Sequence, residues 1–397
     1  MTKIAMLGTG FIGRFYADSI QGYRNRDKIV AIYSRRDESV KKFMTDYDVP
    51  FGTTTMEEAI NRPDVEVVCV SLPNNLHEEA VMLCCKYKKA VMVTKPLGRN
   101  AEEAKRMLEA VEKAGIFNGY LEDLVYTPKF LKAHESVKNG ALGRVLWAKS
   151  RETHPGPHSE WFWDMEQAGG GCILDLGCHC VEISRSYIGK DILPVEVMCW
   201  ADTQVKPIDA EDHAIGLVKY ENGAIGQFEV SWTFRGGLDL RDEVMGSEGT
   251  IWTNGFLRTG LEMFTTGKGA DYVAEKAESN TGWLFPVGDE LNELGYNHMF
   301  MDMLNAFEKG IQPKETFYDG YVVNAILDAA YRSAKSKLWE PVNLAHWRGR
   351  TGVGKDSHLQ EFDAEHYLVK EEVTHYGAKK LILKNKVTGK ISEQVMQ

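Results

Sequence analysis

Short apolar runs alternate with amphipathic stretches over the first 120 residues of the chain. The apolar runs predict strands at residues 4–7, 29–32, 65–70, 91–93 and 116–120. Between them, apolar positions recur with helical spacing at residues 14–20, 39–46, 78–85 and 101–114. Strands separated by helices of this length favour a parallel, doubly wound sheet. The first part of the chain is therefore predicted to be an α/β domain.

The pattern changes beyond residue 141, where longer strands follow one another without helices between them. These strands are predicted at residues 145–150, 195–201, 214–220, 224–231 and 250–253, and turns such as Glu221-Asn222-Gly223 join them. Helices return at residues 296–308 and 318–337. Consecutive strands indicate a large, mostly antiparallel open sheet, which we assign to an α+β domain over residues 123–345. Residues 346–397 form a polar C-terminal extension of unknown role, with a possible strand pair at 380–383 and 390–391.

Three glycines follow the first predicted strand with the spacing G-x-G-x-x-G. Gly8 would allow a tight turn, Gly10 would let the backbone approach a pyrophosphate, and Gly13 would let the following helix pack closely on the strand. Phe11 and Ile12 lie between them and would meet the same ligand. Because a strand precedes the turn and a helix follows it, the motif predicts a dinucleotide-binding Rossmann domain over residues 1–122.

The end of the second strand bears on the choice of cofactor. In dinucleotide folds, an acidic residue about 20 positions beyond the last glycine bonds the ribose 2′-hydroxyl of NAD, whereas a basic residue accommodates the 2′-phosphate of NADP. Here Ser34 stands in that place and is followed by Arg35 and Arg36. We therefore expect an NAD(P) cofactor with NADP(H) bound more tightly. If Arg35 only stacks on the adenine and Arg36 is solvated, NAD remains the alternative.

Composition narrows the class of partner. The 397 residues exceed what one core usually holds, so two domains are expected. A formal net charge of -10 disfavours nucleic acid and anionic membranes as partners, because the mean field repels phosphates. The absence of a long apolar run and a strand that begins directly after Met1-Thr2-Lys3 lead us to expect a cytoplasmic protein. Seven cysteines without paired C-x-x-C spacing fit reduced thiols in such a protein.

Five segments together resemble the Gfo/Idh/MocA family of oxidoreductases, over about residues 2–345. They are Gly8-Thr9-Gly10-Phe11-Ile12-Gly13, Leu72-Pro73-Asn74-Asn75-Leu76-His77, Lys95-Pro96, the segment with Asp175 and His179, and Gly246-Ser247-Glu248-Gly249-Thr250-Ile251. The resemblance implies a Rossmann domain followed by an open mixed sheet, and a homo-oligomer, either a dimer or a tetramer. It also implies cofactor contacts at Leu72, Pro73, Asn74, His77, Lys95 and Pro96.

Lys95, Asp175 and His179 form a candidate acid/base set. Asp175 and His179 are four residues apart and Glu182 follows three later, so on one helix they would share a face. A histidine held by a carboxylate is suited to take a proton from a sugar hydroxyl as hydride leaves the same carbon. A desolvated Lys95 would have a lowered pKa and could polarise or deprotonate the same oxygen. The alternatives are a solvated lysine and a helix-packing pair.

Two positions depart from the family pattern. Thr94 stands where the family commonly has Glu before Lys-Pro, so the pKa and orientation of Lys95 could differ. The segment before Pro128 offers Glu122 and Asp123 in place of the common Asn and Arg. We predict that Glu122 faces the ribose or amide of the nicotinamide, with an exposed carboxylate at a strand end as the alternative.

The loop over residues 152–164 carries the candidate substrate contacts. Aromatic faces beside hydrogen-bonding groups suit a pyranose or polyol. The candidate residues are His154, His158, Trp161, Trp163 and Asp164. Packing under the loop is the alternative for the aromatic residues, and a metal held by His154, His158 and His179 is disfavoured because the family reaction needs none. Cys172, Cys178 and Cys180 are likewise interpreted as close-packing residues rather than metal ligands.

Further polar residues lie on or beside the later strands, and the sequence leaves their role open. They either reach the pocket or form ion pairs between subunits: Glu211, Asp212, His213, Arg235, Asp239 and Arg241.

Three functions are compatible with these residues. The leading hypothesis is an NAD(P)-dependent dehydrogenase or reductase of a sugar, glycoside or inositol-like polyol. The second is a redox glycosidase or lyase that retains its cofactor and acts through a transient keto-sugar. The third is a non-catalytic dinucleotide-binding sensor, against which the retained lysine, aspartate and histidine argue.

Overall fold

The computed structural model describes residues 1–255, 261–266, 281–354 and 359–396. Within them the chain forms two compact units, Met1–Gly352 and Val353–Gln397. The first unit contains two large sheets, and the second contains one small sheet.

The first sheet has six parallel strands in the order β3-β2-β1-β4-β5-β6. Its strands are β1 (Lys3–Leu7), β2 (Lys28–Tyr33), β3 (Gly52–Thr53), β4 (Val67–Val70), β5 (Ala90–Thr94) and β6 (Asn118–Leu121). All four residues of β4 are buried, because a parallel sheet covered on both faces needs apolar side chains on each. This order is that of the Rossmann fold and confirms the predicted doubly wound sheet.

Five helices cover this sheet. They are α1 (Phe11–Asp18), α2 (Asp37–Tyr47), α3 (Met56–Ile60), α4 (His77–Lys86) and α5 (Ala101–Ala114). The sequence marks both ends of α5. The side chain of Asn100 accepts a hydrogen bond from the Glu103 amide, and Gly115 ends the helix in the left-handed conformation.

The second sheet has seven strands in the order β12-β11-β7-β10-β9-β8-β15. The strands that follow β6 in the first unit are β7 (Val145–Thr153), β8 (Pro194–Asp202), β9 (His213–Tyr220), β10 (Ile225–Ser231), β11 (Asp239–Gly246), β12 (Thr250–Asn254), β13 (Met263–Thr265), β14 (Gly282–Leu284) and β15 (Glu340–Pro341). Only β7 and β10 pair in parallel within this sheet, and its other pairs are antiparallel. The predicted open, mostly antiparallel sheet is confirmed. The strands β13 and β14 form a separate pair.

Seven further α-helices follow β6 in the described part of the chain. They are α6 (Pro128–Lys138), α7 (Met165–Ala168), α8 (Cys172–Asp175), α9 (Gly177–Ile188), α10 (Glu290–Glu293), α11 (Tyr296–Lys309) and α12 (Phe317–Ser336). Helix α9 packs on β7 and β10, while α12 packs on β8 and also contacts α5 of the first sheet. One face of the seven-stranded sheet is therefore covered by helices. Helix α12 lies between this sheet and α5 and contacts both.

The second unit is a three-stranded antiparallel sheet of β16 (His366–Val373), β17 (Lys379–Asn385) and β18 (Ile391–Met396). The predicted strand pair corresponds to β17 and β18, whereas β16 was not predicted. Among the described residues of the chain, no helix is both long and apolar enough to cross a bilayer.

Candidate active site

The glycine turn lies at the carboxyl end of β1, where parallel sheets bind their ligands. Gly8 has φ +112°, and a Cβ there would lie 2.3 Å from the carbonyl oxygen of Ser71. A Cβ on Gly13 would lie 2.6 Å from the carbonyl oxygen of Gly8, so this glycine lets α1 approach the turn. At Gly10 a Cβ would meet no atom within 4 Å, because the residue borders an open cleft.

That cleft encloses about 1780 Å³ of space, part of which is open to solvent. Several predicted cofactor residues line it together: Gly8, Gly10, Ser34, Arg35, Arg36, Leu72 and Pro73. The Ser34 hydroxyl accepts a hydrogen bond from Thr9 Oγ1 at 3.1 Å, while Arg35 and Arg36 are exposed. Gly10 at the start of α1 and the side chains of Arg35 and Arg36 line the same cleft.

A second cavity of about 990 Å³ adjoins this cleft and shares Gly10, Leu72, His158 and Trp161 with it. The predicted residues that line it are Gly10, Phe11, Ile12, Leu72, Asn74, Lys95, His154, His158, Trp161, Asp175 and His179. The structure therefore brings the acid/base candidates and part of the substrate loop to the inner end of the cofactor cleft.

Lys95 follows β5 directly and is held by Asp175. Its ammonium donates to Asp175 Oδ1 and to the Asp175 carbonyl oxygen, both at 2.9 Å. The second carboxylate oxygen of Asp175 accepts from the indole of Trp232 at 3.1 Å. Burial alone would lower the pKa of Lys95, but the charges of Asp175, Cys178 and Glu152 and the hydrogen bond to Asp175 together raise that pKa well above its ordinary value. The predicted lowering of this pKa is wrong.

His179 is held by Glu122 and not by Asp175, which corrects the predicted pairing. Its Nδ1 makes a short hydrogen bond to Glu122 Oε1. The Glu122 side chain is fully buried and does not line either cavity, so the predicted contact between Glu122 and the nicotinamide ribose or amide is also wrong. Burial raises the pKa of Glu122 to about 8, while the charge of Lys95 opposes that rise.

The predicted helix that would carry Asp175, His179 and Glu182 on one face is divided into two helices. Helix α8 ends at Asp175 and α9 begins at Gly177. The carbonyl oxygen of Asp175, which would otherwise continue the helical ladder, accepts from Lys95 at 2.9 Å and from the Cys178 thiol at 3.1 Å. Glu182, the third member of the predicted face, instead pairs with the fully buried Arg185.

Two predicted substrate residues lie outside the cavity. Trp163 packs edge-on against Trp232, with ring centroids 5.3 Å apart, and does not line the cavity. Asp164 caps α7 by accepting from the Glu166 amide at 2.9 Å. Trp163 therefore packs against Trp232 and Asp164 caps a helix, and neither side chain lines the cavity.

Three predicted cofactor residues, Gly13, His77 and Pro96, do not line the described cavities. Both ring nitrogens of His77 lie near backbone carbonyls, Leu97 O at 3.1 Å and Leu72 O at 3.0 Å. The histidine therefore holds two loops of the cleft in place, which replaces the predicted cofactor contact.

Three of the later polar residues make contacts within the chain. Glu211 Oε1 accepts from the Gly171 amide at 3.1 Å and from the Ile173 amide at 2.8 Å, so it anchors the start of α8. Asp212 accepts from three consecutive loop amides, Gln204, Val205 and Lys206. Asp239 pairs with Arg151 and Arg241 of the same chain. These contacts lie within one chain and outside the cavity.

Metal binding has two candidate clusters among the described residues. Their possible ligand atoms lie within 4.8 Å of one another in Glu122–Cys178–His179 and in Glu182–Glu315–Asp319. The considered trio of His154, His158 and His179 is not one of them. Contacts within the chain already occupy ligand atoms of each cluster. In the first cluster His179 is hydrogen-bonded to Glu122. In the second, Lys190 forms ion pairs with Glu182, Glu315 and Asp319.

Sequence reasoning missed two acidic residues of the cavity wall. Asp123 follows the end of β6, and burial raises its pKa to about 7. Glu152 lies near the end of β7, on the face where Ala148 and Ser150 are buried beneath α9. A carboxylate on the inward face of a half-buried strand was the available signal. The apolar wall of the cavity is formed by residues from distant segments, so no local sequence pattern predicted it. These residues are Leu238, Leu240, Leu294 and Tyr296.

Two family models match this chain. Residues 2–119 match an oxidoreductase family with an NAD-binding Rossmann fold, and residues 130–252 match the GFO/IDH/MocA C-terminal domain.

Curated relatives match over most of their length. The chain is 28% identical to myo-inositol 2-dehydrogenase of Thermotoga maritima, over 84% of this chain and 97% of the relative. It is 25% identical to levoglucosan dehydrogenase of Pseudarthrobacter phenanthrenivorans, over 73% of this chain and 83% of the relative.

Solved structures agree with the fold. GenD2 from gentamicin A biosynthesis, in complex with NAD, superposes with a TM-score of 0.81 and 31% identity, over 86% of this chain and 97% of that one. Levoglucosan dehydrogenase in complex with NADH and levoglucosan superposes with a TM-score of 0.75 at 23% identity, over 86% of this chain and 100% of that one, and it shows the fold alone.

Proposed function

The chain belongs to the Gfo/Idh/MocA family of oxidoreductases, and from this premise we propose that it transfers a hydride between a nicotinamide cofactor and a sugar, glycoside or inositol-like polyol. The observation that carries the proposal is the meeting of Lys95 and His179 in one cavity at the inner end of the dinucleotide cleft. Relatives named for inositol and levoglucosan oxidation support this substrate class. In this proposal residues 1–122 bind the cofactor and residues 123–345 bind the substrate.

The residues at the cleft fit a dinucleotide. Gly8, Gly10 and the start of α1 would hold the pyrophosphate, Ser34 and Arg35 would lie at the adenosine ribose, and Leu72 and Pro73 would border the chain between them. When bound, the nicotinamide ring supplies the site that accepts or gives the hydride.

Lys95 acts in this proposal as a hydrogen-bond donor to the reacting oxygen. An ammonium has three donors, and Asp175 takes two of them through Oδ1 and its carbonyl oxygen. The third can reach a substrate oxygen in the cavity. Because the raised pKa keeps the lysine charged, it stabilises the negative charge that develops on that oxygen.

His179 exchanges the proton. Glu122 holds Nδ1, so Nε2 is the ring nitrogen that meets the substrate hydroxyl. During oxidation the C–H bond breaks as a hydride leaves, and the O–H proton passes to His179 while the carbon–oxygen double bond forms. The Glu122 carboxylate stabilises the imidazolium that results. Reduction runs these proton movements in reverse.

The test is an assay with free NAD+ and NADP+ against hexoses, glycosides and inositols, followed by the absorbance of the reduced nicotinamide. We expect substrate-dependent formation of reduced cofactor with at least one of these compounds. Cleavage of a glycoside without net cofactor reduction would instead favour the redox glycosidase that retains its cofactor.

We also propose that NADP(H) is bound more tightly than NAD(H). Ser34 and the exposed Arg35 and Arg36 at the cleft support this choice, while relatives solved with NAD or NADH support the opposite one. Paired guanidinium groups can bind a 2′-phosphate bidentately. Arg35→Ala should weaken NADP(H) by about 10-fold and leave NAD(H) within about twofold, measured by fluorescence titration. Equal or tighter binding of NAD(H) by the unaltered protein would reject the preference.

A further inference from the structure

Carboxyl groups outnumber cations on the wall of the substrate cavity. Asp123, Glu152 and Asp175 line it, and Lys95 is the one lysine or arginine among the described residues that do so. Lys95 is committed to Asp175 by the 2.9 Å contact. The other two carboxyl groups therefore exceed the fixed positive charge of this wall.

Of these two carboxyl groups, Glu152 is the one with an oxygen that lacks a hydrogen-bond partner among the described residues. Its side chain is only 7% exposed, and this oxygen, Oε2, is buried. Burial raises the pKa of Glu152 well above its ordinary value, with Asp175 and Asp123 adding to the rise and Lys95 opposing it. A buried carboxyl group in this position either takes up a proton or pairs with a cation that enters the cavity.

The position of Glu152 suits contact with a ligand. It lies on β7 of the second sheet, whereas Lys95 follows β5 of the first, so the two groups border the same cavity from different sheets. A ring-shaped ligand whose reacting oxygen meets Lys95 and His179 can therefore turn another substituent toward Glu152. Asp123, which follows β6, adds a second negative group to that wall.

We propose that the substrate is a sugar or cyclitol that carries an ammonium group, and that Glu152, assisted by Asp123, accepts its hydrogen bonds. This inference rests on the proposed function and adds the charge of the substrate to it. An ammonium pairs with the Glu152 carboxylate and offsets the surplus negative charge, whereas a hydroxyl in the same place leaves the charge uncompensated. Glu152 is thus a specificity-determining residue.

The experiment compares ligands that differ only in this group. Glucose and inositol are assayed beside their aminodeoxy derivatives, with the amine at different ring carbons, and beside the N-acetylated forms, which keep the nitrogen without its charge. We expect kcat/KM for at least one amine to exceed that of both neutral counterparts by about 10- to 100-fold, as one charge-assisted hydrogen bond supplies. Glu152→Gln should lower kcat/KM for that amine more than for its neutral counterparts and so remove this preference.

A matched control is Glu196→Gln on β8, whose carboxylate pairs with Lys219 at 2.7 Å outside the cavity and should leave the preference unchanged. Preference for a neutral parent would overturn the inference and leave the proposed dehydrogenase intact. An equal loss for amines and neutral compounds in Glu152→Gln would also overturn it, because Glu152 would then compensate the charge of the oxidised nicotinamide.

Absence of turnover with every compound would count against the proposed function and not yet against the ammonium site. In that case the aminodeoxy derivatives are titrated onto the protein saturated with NAD+ or NADP+ in a calorimeter. Binding that is lost in Glu152→Gln and kept in Glu196→Gln would support the site, and absence of binding would overturn it.

Discussion

At the scale of single residues, Lys95 and His179 depend on two different buried carboxylates. Asp175 orients the ammonium and raises its pKa, while Glu122 fixes the tautomer of the imidazole. In the proposed mechanism this separation lets Lys95 stay charged while His179 gains and loses a proton, as a hydride transfer coupled to proton transfer requires.

Replacing either group should remove most of the activity. We expect Lys95→Ala and His179→Ala each to lower kcat by about 10²- to 10⁴-fold, the range that positioned acid/base groups contribute. The cofactor should still bind, because the glycine turn and the arginines that line the cleft are unchanged. Steady-state kinetics and a cofactor titration measure both quantities. Rates near those of the unaltered protein in both variants would reject the assignment.

The Glu122–His179 pair predicts the pH dependence of the reaction. The imidazolium that forms on His179 is stabilised only when Glu122 is ionised, and burial raises the pKa of Glu122 to about 8. Oxidation should therefore accelerate as pH rises to about 8 and then level off, and reduction should slow over the same interval.

Glu122→Gln tests this role, because glutamine keeps the shape of the side chain and removes its charge. Without the carboxylate the imidazolium is less stable and the titration of Glu122 is lost, so the inflection near pH 8 should disappear. The plateau rate should fall by about 10-fold or more. A change in plateau with an unmoved inflection would indicate that Glu122 serves packing alone.

The sequence did not predict the hydrogen-bond partners of Lys95 and His179 correctly. Lys95 and His179 could be selected from the sequence, but Asp175 was assigned to the wrong partner. The four-residue spacing of Asp175 and His179 predicts one continuous helix. Lys95 lies 80 positions away and donates to the Asp175 carbonyl, a contact that this spacing does not reveal. Glu122 lies 57 positions from His179, and their pairing is created only by the packing of α9 against the segment after β6.

At the scale of elements, the two glycines of the first turn have separable roles, which predicts opposite outcomes for two similar substitutions. Gly8→Ala places a Cβ 2.3 Å from a backbone oxygen at φ +112° and should destabilise the fold by at least about 1–3 kcal/mol. Gly10→Ala meets no atom within 4 Å at φ -72° and should fold normally while weakening the cofactor by about 10-fold or more. Thermal unfolding and cofactor titration distinguish the two effects. Equal stability losses would contradict this separation.

Periodicity predicted the regular elements well and the irregular ones poorly. Helix α5 and the buried strand β4 lie within about two residues of their predicted positions, since a strong apolar pattern marks them. Strand β11 was not predicted because Asp239, Arg241, Asp242 and Glu243 make it polar, and β7 on one side and β12 on the other supply its hydrogen bonds. Helix α6 was missed although Thr127 and Pro128 carry the capping signal.

At the scale of the whole molecule, the seven-stranded sheet is covered on one face only. Helices α9 and α12 pack against β7, β10 and β8, which leaves the opposite face without a helix among the described residues. That face carries Trp200 at 41% exposure beside Ile215 at 40%, and Trp252 at 73%. Trp200 and Ile215 are cross-strand neighbours on β8 and β9, whereas Trp252 lies on the edge strand β12. Exposed apolar side chains on a sheet face that no helix covers are typical of a surface that another protein covers.

This face leads us to predict that the protein self-associates through the seven-stranded sheet. A symmetric dimer would bring Trp200 and Ile215 of one copy onto the same face of the next, and burial of apolar area would stabilise the pair. Sedimentation at micromolar concentration should therefore show a dimer or tetramer. Ile215→Glu, which places a charge beside Trp200 on this face, should shift the protein toward the monomer, since an unpaired buried charge is costly. Met82→Glu on α4, where the methionine is 37% exposed, is the matched control and should leave the assembly intact. A monomeric unaltered protein, or equal dissociation in both variants, would rule out this interface.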